Sequence, residues 1–197
     1  NIHESFGNLE GTANNYSNLG IIYSTQGKLD EAKTVLRKAL DIHKHLGCFE
    51  GIATEYSDLG VIDKNRGDLD KAEEMHRKAL EINERLNTLE GTASNYCGLG
   101  NLYQTRGDLD KAEKMHRKAL EIDEELGRLE GIARQYANLG NIYESRGDLD
   151  QAEQMYRLGL EIDEKIGRLI GMASKYGNLG IIHKIRGEYD LAEQMHT

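Results

Sequence analysis

The chain has 197 residues, of which 38% are hydrophobic and 30% are charged, and its formal net charge at pH 7 is −9. This length and composition are typical of a folded domain with a sizeable core. The negative charge disfavours general binding to nucleic acid or to anionic membranes. The sequence has neither an apolar run long enough to span a membrane nor a signal-peptide pattern. We therefore expect no nucleic-acid and no membrane partner.

The chain has two cysteines, Cys48 and Cys97, which lack the CxxC spacing of zinc and redox sites. Two cysteines without such spacing are typical of a protein in a reducing compartment. The sequence therefore predicts a cytoplasmic protein without a disulfide framework, without a metal site and without a cofactor.

Tyrosines recur at intervals of 40 residues along the whole chain, at Tyr16, Tyr56, Tyr96, Tyr136 and Tyr176. A Leu-Gly pair follows each tyrosine at a constant distance, and an alanine follows each pair. Because the register continues without an insertion, the pattern predicts an internal repeat. We expect residues 1–197 to form a single array of about five repeats, 8–47, 48–87, 88–127, 128–167 and an incomplete 168–197.

The first part of each repeat reads as an α-helix, which in the fourth repeat runs from about Leu129 to Ser145. Its apolar and small residues follow the i, i+3, i+4, i+7 spacing of one helical face and are Ala133, Tyr136, Leu139, Gly140 and Tyr143. A glycine inside a helix costs about 1 kcal/mol relative to alanine. Gly60 and its equivalents therefore predict close helix–helix approach, and the series that begins at Gly11 predicts a second close contact.

The second part of each repeat reads as another α-helix. In the fourth repeat, Gly147 ends the first helix, and Asp148 is placed to cap the second helix, which runs to Gly167. A residue in the left-handed conformation commonly ends a helix, and this slot holds Gly47, Gly127 and Gly167. Asn87 holds the same slot in the second repeat, and asparagine also tolerates that conformation.

The two ends of the sequence match parts of a second helix. Residues 1–7 align with 81–87, at the end of such a helix, whereas residues 187–197 match only its beginning. We therefore expect the chain to start and end inside a second helix, as a piece of a longer array. Uncapped ends expose apolar surface, so a self-associating array, with homo-oligomers formed through the terminal helices, is an alternative function.

These residues resemble the tetratricopeptide repeat (TPR) family, whose signature is W-x2-L-G-x2-Y, then A-x3-F, then P. The fourth repeat carries Tyr136-x2-Leu139-Gly140-x2-Tyr143 and then Ala152-x3-Tyr156. The 40-residue period, in place of 34, and the missing proline resemble the long-repeat subclass found in spindle-orientation adaptors that bind G-protein regulators. Kinesin light chains and bacterial peptide-sensing regulators are looser relatives.

The resemblance implies an all-α fold, an α-solenoid in which antiparallel helix pairs form a right-handed superhelix. It also implies that the first helices line a concave face, which binds extended or helical peptides of partner proteins. The chain departs from the signature at Asp63 and His183, which replace tyrosine. Histidines occupy the aromatic slot of the second helix at His76, His116 and His196.

The stripe of the first helix opposite its core face is nearly neutral and rich in amides. An Asn amide can both donate to and accept from a peptide unit, and Asn138 and Asn141 are expected to face away from the core. The candidate peptide-binding residues are Asn14, Asn18, Asn101, Gln104, Arg134, Asn138, Asn141, Asn178 and Lys184. The weaker candidates, as apolar anchors, are Ile21, Val61, Ile181 and Ile185. Asp58 and Gly98 interrupt the Asn series. The alternative is that the amides solvate the surface or bond neighbouring helices.

Two other readings are disfavoured by the repeat itself. Titratable residues fall at repeat-equivalent positions, so no nucleophile, base and orienting partner converge, and we assign no catalytic residue. The histidines of the aromatic slot would lie about 10 Å apart in adjacent repeats, too far to share a metal ion.

Chaperone-binding members of the family clamp a terminal carboxylate with basic residues. The equivalent positions here hold no basic residue, so the sequence disfavours a receptor of this kind; they are Ser17, Ser57, Cys97, Ala137 and Gly177.

Overall fold

The structure, a computed structural model, describes residues 2–195, with side chains from residue 9 onwards, and these residues form ten α-helices. The helices are α1 (Ile2–Thr25), α2 (Leu29–Leu46), α3 (Phe49–Asn65), α4 (Leu69–Leu86), α5 (Leu89–Arg106), α6 (Leu109–Glu125), α7 (Leu129–Arg146), α8 (Leu149–Ile166), α9 (Leu169–Ile185) and α10 (Tyr189–Gln194). From α2 onwards, the helices start at regular steps of half a repeat. The predicted all-α array of helix pairs is confirmed, whereas its superhelical hand stays a prediction. His196 lies outside the described residues.

The helix ends follow the local sequence signals. Gly47, Gly127 and Gly167 have φ angles of 67°, 65° and 68°, and Asn87 has a φ of 53°. Because these angles lie in the left-handed region, the predicted C-terminal caps are confirmed. Asp148 Oδ1 accepts a hydrogen bond of 3.1 Å from the backbone N–H of Gln151, which confirms the predicted N-cap.

Most of the glycines inside the helices lie close to a side chain of a neighbouring helix. A Cβ atom at Gly140 would lie 2.5 Å from the ring of Tyr156, and one at Gly131 would lie 2.5 Å from the carboxyl of Asp123. Both predicted kinds of contact are therefore present in the fourth repeat. At Gly11, in contrast, no atom lies within 4 Å. The predicted contact at Gly11 is wrong, because no second helix precedes α1 among the described residues.

The start of the chain also differs from the sequence alignment. α1 runs without a break from Ile2 to Thr25, whereas the alignment of residues 1–7 with 81–87 predicts the end of a separate helix there. A helix can continue through a glycine at a cost of about 1 kcal/mol. Among the described residues, no preceding helix packs against residues 2–7, and their backbone extends the first helix.

The helices group into two compact units, residues 1–102 and 103–197. In the first unit, α2 packs against both α1 and α3, and its buried core includes Leu36 and Leu59. In the second unit, α8 packs against both α7 and α9, and its core includes Leu139, Tyr156 and Leu179. Within each unit, neighbouring repeats therefore complete one another's core, as in a solenoid. None of the described helices is long and apolar enough to cross a membrane.

Candidate peptide-binding surface

A groove separates the first helices α1 and α3 in the first unit. It encloses about 170 Å³. The residues of the predicted stripe that line it, here named the α1/α3 groove, are Ile21, Ser24, Thr25, Asp58 and Val61. The side chains of Ile21 and Val61 are 52% and 43% exposed, so packing between adjacent helices leaves much of both apolar surfaces uncovered.

Asp58 is the charged residue that lines the α1/α3 groove. Burial raises the pKa of its carboxyl to about 6. No hydrogen bond or ion pair to this carboxylate comes from any other residue that the structure describes. The sequence marks Asp58 only as an interruption of the Asn series. The signal that could have identified it is a carboxylate at a position where the other repeats have asparagine or glycine.

Two predicted binding residues on α1 are open to a partner. Asn14 and Asn18 are exposed, and no described residue bonds either amide. They lie on the same helical stripe as Ile21, because residues three and four apart share a helix face. The amides and the apolar wall of the groove therefore form a continuous surface.

The second unit carries a similar surface on α9. Asn178 is half-buried and Lys184 is exposed. Ile181 and Ile185 are 45% and 59% exposed. Helical spacing places Asn178, Ile181 and Ile185 along one stripe, so apolar and amide groups again lie side by side.

Two predicted residues on α7 bond neighbouring helices instead. The hydroxyl oxygen of Tyr156 lies 2.7 Å from both Asn141 Oδ1 and Glu144 Oε2. Asn138 Nδ2 lies 3.4 Å from Nδ1 of the buried His116. Both amides were expected to face away from the core, and each instead contacts a long, polar-tipped ring from the aromatic slot of a second helix; a role for them in peptide binding stays a prediction. For these residues, the structure favours the alternative that the amides bond neighbouring helices.

The remaining predicted residues are half-buried. Asn101 Nδ2 lies 3.9 Å from Cys97 Sγ on α5, and Gln104 follows on the same helix. Arg134 on α7 has a buried Nε without a hydrogen-bond partner. The nine candidates are thus divided between open positions on α1 and α9 and more constrained positions on α5 and α7.

Polar residues also fill buried positions behind the first helices, which the sequence analysis missed. One series directly precedes the repeated tyrosine in the second to fifth repeats, and the other lies near the ends of α2, α4, α6 and α8; we call both together the buried polar row. Its pairs are His43 with Glu55, Asn83 with Asn95, Asp123 with Gln135, and Asp163 with Lys175. The available signal was a polar residue at the same repeat position in every unit.

The chemistry of the buried polar row changes from pair to pair. His43 Nδ1 lies 3.6 Å from Glu55 Oε1. In the second unit, Gln135 Nε2 donates to Asp123 Oδ2 at 3.2 Å, and Lys175 Nζ donates to the carboxylate of Asp163 at 2.6 Å. Among the described side chains, no three His, Cys, Asp or Glu residues are placed to hold a metal ion.

Two serines of the predicted stripe connect to the buried polar row. Ser17 Oγ donates to Glu55, and Ser57 Oγ donates to Asn95 Oδ1 at 2.9 Å. Burial is the largest influence on Glu55 and raises its pKa to about 7, against the opposing effect of the Ser17 hydrogen bond. These hydroxyls therefore stabilise buried polar groups.

The chain is similar to solved structures of helical repeat proteins. BtubC from P. vanneervenii has a TM-score of 0.82 at 24% identity, over 95% of this chain and 78% of that chain. A protein of Podosopora anserina, assigned as a kinesin light chain with TPR-like repeats, has a TM-score of 0.73 at 17% identity, over 92% and 90%. A STAND protein with a tetratricopeptide repeat sensor from Pyrococcus horikoshii has a TM-score of 0.82 at 22% identity, over 91% and 28%.

These likenesses establish the fold. A search of curated proteins finds no significant match to the sequence. Residues 18–196 match the MalT-like TPR region. Because that match extends over most of the chain and agrees with the observed helix pairs, the chain belongs to the family of MalT-like TPR proteins.

Proposed function

We propose that the chain is a non-catalytic scaffold that binds a peptide segment of a partner protein along its first helices. TPR folds generally serve protein–protein interaction. The observation that carries the proposal is the α1/α3 groove, where exposed apolar walls adjoin unbonded amides on α1. Apolar anchoring combined with a few polar groups is the usual composition of a peptide-binding groove. Neither cysteine forms a disulfide among the described residues, which is consistent with a cytoplasmic scaffold.

The amides of α1 provide the test. A phage-displayed library of random dodecapeptides is selected on the wild-type chain, and the affinities of the selected peptides are measured by isothermal titration calorimetry. The double variant Asn14→Ala and Asn18→Ala should bind the selected peptides about tenfold more weakly, since each lost hydrogen bond contributes about 0.5–1.5 kcal/mol.

The control is Asn15→Ala, which removes a neighbouring exposed amide from the same helix. It should leave affinity unchanged, and all variants should keep the circular dichroism of the wild type. Equal affinities of the double variant and the wild type would contradict a binding role for these amides.

Self-association through the terminal helices is a second candidate. It is supported by exposed apolar side chains in α9 and α10, where Leu169, Ile170 and Tyr189 are 74%, 87% and 68% exposed. Sedimentation velocity should then show a mass that rises with protein concentration. A monomer at every concentration would exclude this candidate.

A further inference from the structure

We propose that the α1/α3 groove binds a lysine or arginine side chain of the partner peptide, with Asp58 as its ion-pair partner and with Ile21 and Val61 contacting the aliphatic part of that side chain. The inference rests on the proposed function and specifies the chemistry of the peptide. Its first support is the composition of the groove: one carboxylate and two exposed aliphatic walls, with no basic residue lining it. Long cationic side chains suit such a site, because their methylene groups cover apolar surface while the charged end reaches an acid.

The second support is the difference between Asp58 and the other carboxylates that are shielded from solvent. Those acids have donors within the protein: Asp63, Asp123, Asp163 and Glu55 accept from Lys33, Gln135, Lys175 and Ser17 respectively. Asp58 has no such donor among the described residues. A desolvated carboxylate without a partner costs free energy, and an incoming cation would recover it.

The third support comes from the equivalent positions of the other repeats. They hold Asn18, Gly98, Asn138 and Asn178, so the same helical fold forms without a charge at this position. Folding therefore does not require the carboxylate of Asp58. Its charge is available for an interaction with a partner.

The charges around the groove do not oppose this assignment. Glu55, one turn before Asp58 on α3, is a second acid; burial is the main cause of its raised pKa, and the nearby charge of Asp58 raises that pKa further. Lys64 lies further along α3, does not line the groove, and is not bonded to Asp58. A cationic ligand is thus favoured over an anionic one in the α1/α3 groove.

The test uses the peptides selected on the wild-type chain from the random dodecapeptide library. The selected sequences should contain a lysine or arginine next to an apolar residue. Replacing that lysine by norleucine, which keeps the stem and removes the charge, should weaken binding to the wild type by about tenfold. The variant Asp58→Asn should weaken binding of the lysine peptide by a similar factor but leave that of the norleucine peptide nearly unchanged.

The matched control is Asp41→Asn, which makes the same charge change at an exposed position on α2 and should leave both affinities unchanged. Circular dichroism should show that Asp58→Asn folds like the wild type. Peptides that bind without a basic residue, or that bind Asp58→Asn as tightly as the wild type, would overturn the inference and leave the scaffold function standing. If no peptide is selected at all, the scaffold proposal fails and this inference fails with it.

Discussion

At the residue scale, Glu55 links the stability of the first unit to pH. Its side chain is fully buried, one carboxylate oxygen lacks a hydrogen-bond partner, and burial raises its pKa from 4.5 to about 7. Since the folded-state pKa lies above the unfolded-state value, the stabilisation that protonation provides is complete below about pH 4.5 and is lost as pH rises through about 7. His43 opposes this trend, because burial lowers the pKa of its imidazole.

The variant Glu55→Gln should separate the effect of Glu55 on the pH dependence of stability from that of His43. Gln135 fills the equivalent slot of a later repeat, so the amide fits the site while abolishing its titration. We expect the variant to be close to the wild type at pH 5 and more stable at pH 8, by on the order of 2–3 kcal/mol. Urea unfolding at both pH values measures the difference.

The control Glu50→Gln changes an exposed carboxylate on the same helix and should show no such dependence. A stability difference for Glu55→Gln that is the same at pH 5 and pH 8 would contradict the assignment of the titration to this residue.

At the scale of the elements, an arginine at the end of three of the first helices, α3, α7 and α9, reaches back to the preceding second helix. Arg66, directly after α3, pairs with Asp30 on α2, and Arg186, directly after α9, pairs with Asp150 on α8. Arg146 on α7 donates to Asp110 on α6 at 2.5 Å. These bonds recur at the repeat period, so each joins one repeat to the next within its unit.

The connection between α6 and α7 is centred on Glu113. Burial alone would raise the pKa of its carboxyl, but hydrogen bonds from Arg146, Tyr143 and Arg117 together lower it to about 2. Because the folded-state pKa lies below the unfolded-state value of 4.5, the stabilisation is present above about pH 4.5 and is lost as pH falls through about 2.

Glu113→Gln should therefore destabilise the protein at neutral pH. We expect a loss on the order of 2 kcal/mol in the free energy of unfolding at pH 7, and a smaller loss at pH 3. Urea titrations at these pH values provide the measurement, with Glu121→Gln, an exposed position on α6, as the control. The interpretation fails if the loss is absent at pH 7 or does not shrink on acidification.

At the junction of the first and second repeats, a different pair takes the place of the contact between Glu113 and Tyr143. Lys33 stands where the next repeats have glutamate, and Asp63 stands where the following two repeats have Tyr103 and Tyr143. Lys33 Nζ donates to Asp63 Oδ1, and Asp63 is buried. The departure of Asp63 from the family signature is therefore matched by a second change on the contacting helix.

The helices and their ends could be predicted from the sequence, because periodicity, glycine caps and Asp148 act through neighbouring residues. The contacts of Asn138 and Asn141 could not, since they depend on how far the rings of His116 and Tyr156 reach across two helices. The buried polar row was also missed, because each member is buried only by a partner that is distant in the sequence.

At the scale of the whole molecule, the repeats share one backbone plan but differ in the buried polar row. Where the member of the row on a second helix differs between repeats, the residue five positions after it in the sequence differs as well. Arg128 and Arg168 accompany Asp123 and Asp163, with nitrogen–oxygen distances of 3.5 Å and 2.7 Å. Thr88 Oγ1 donates to Asn83 Oδ1 at 2.9 Å. Each junction therefore carries a matched set, and the repeats are not interchangeable one residue at a time.

Transplanting such a set tests this interpretation. Glu55→Lys alone should lower the free energy of unfolding by about 3–5 kcal/mol or prevent folding, because the buried ammonium would face His43 without an acid. The triple variant His43→Asp, Cys48→Arg and Glu55→Lys recreates the set of Asp163, Arg168 and Lys175. It should recover most of the loss, since the new lysine then has the partner that it has in the later repeat. Urea unfolding of both variants decides the matter: a triple variant no more stable than Glu55→Lys alone would show that the surroundings, rather than the matched side chains, determine which polar residues each junction accepts.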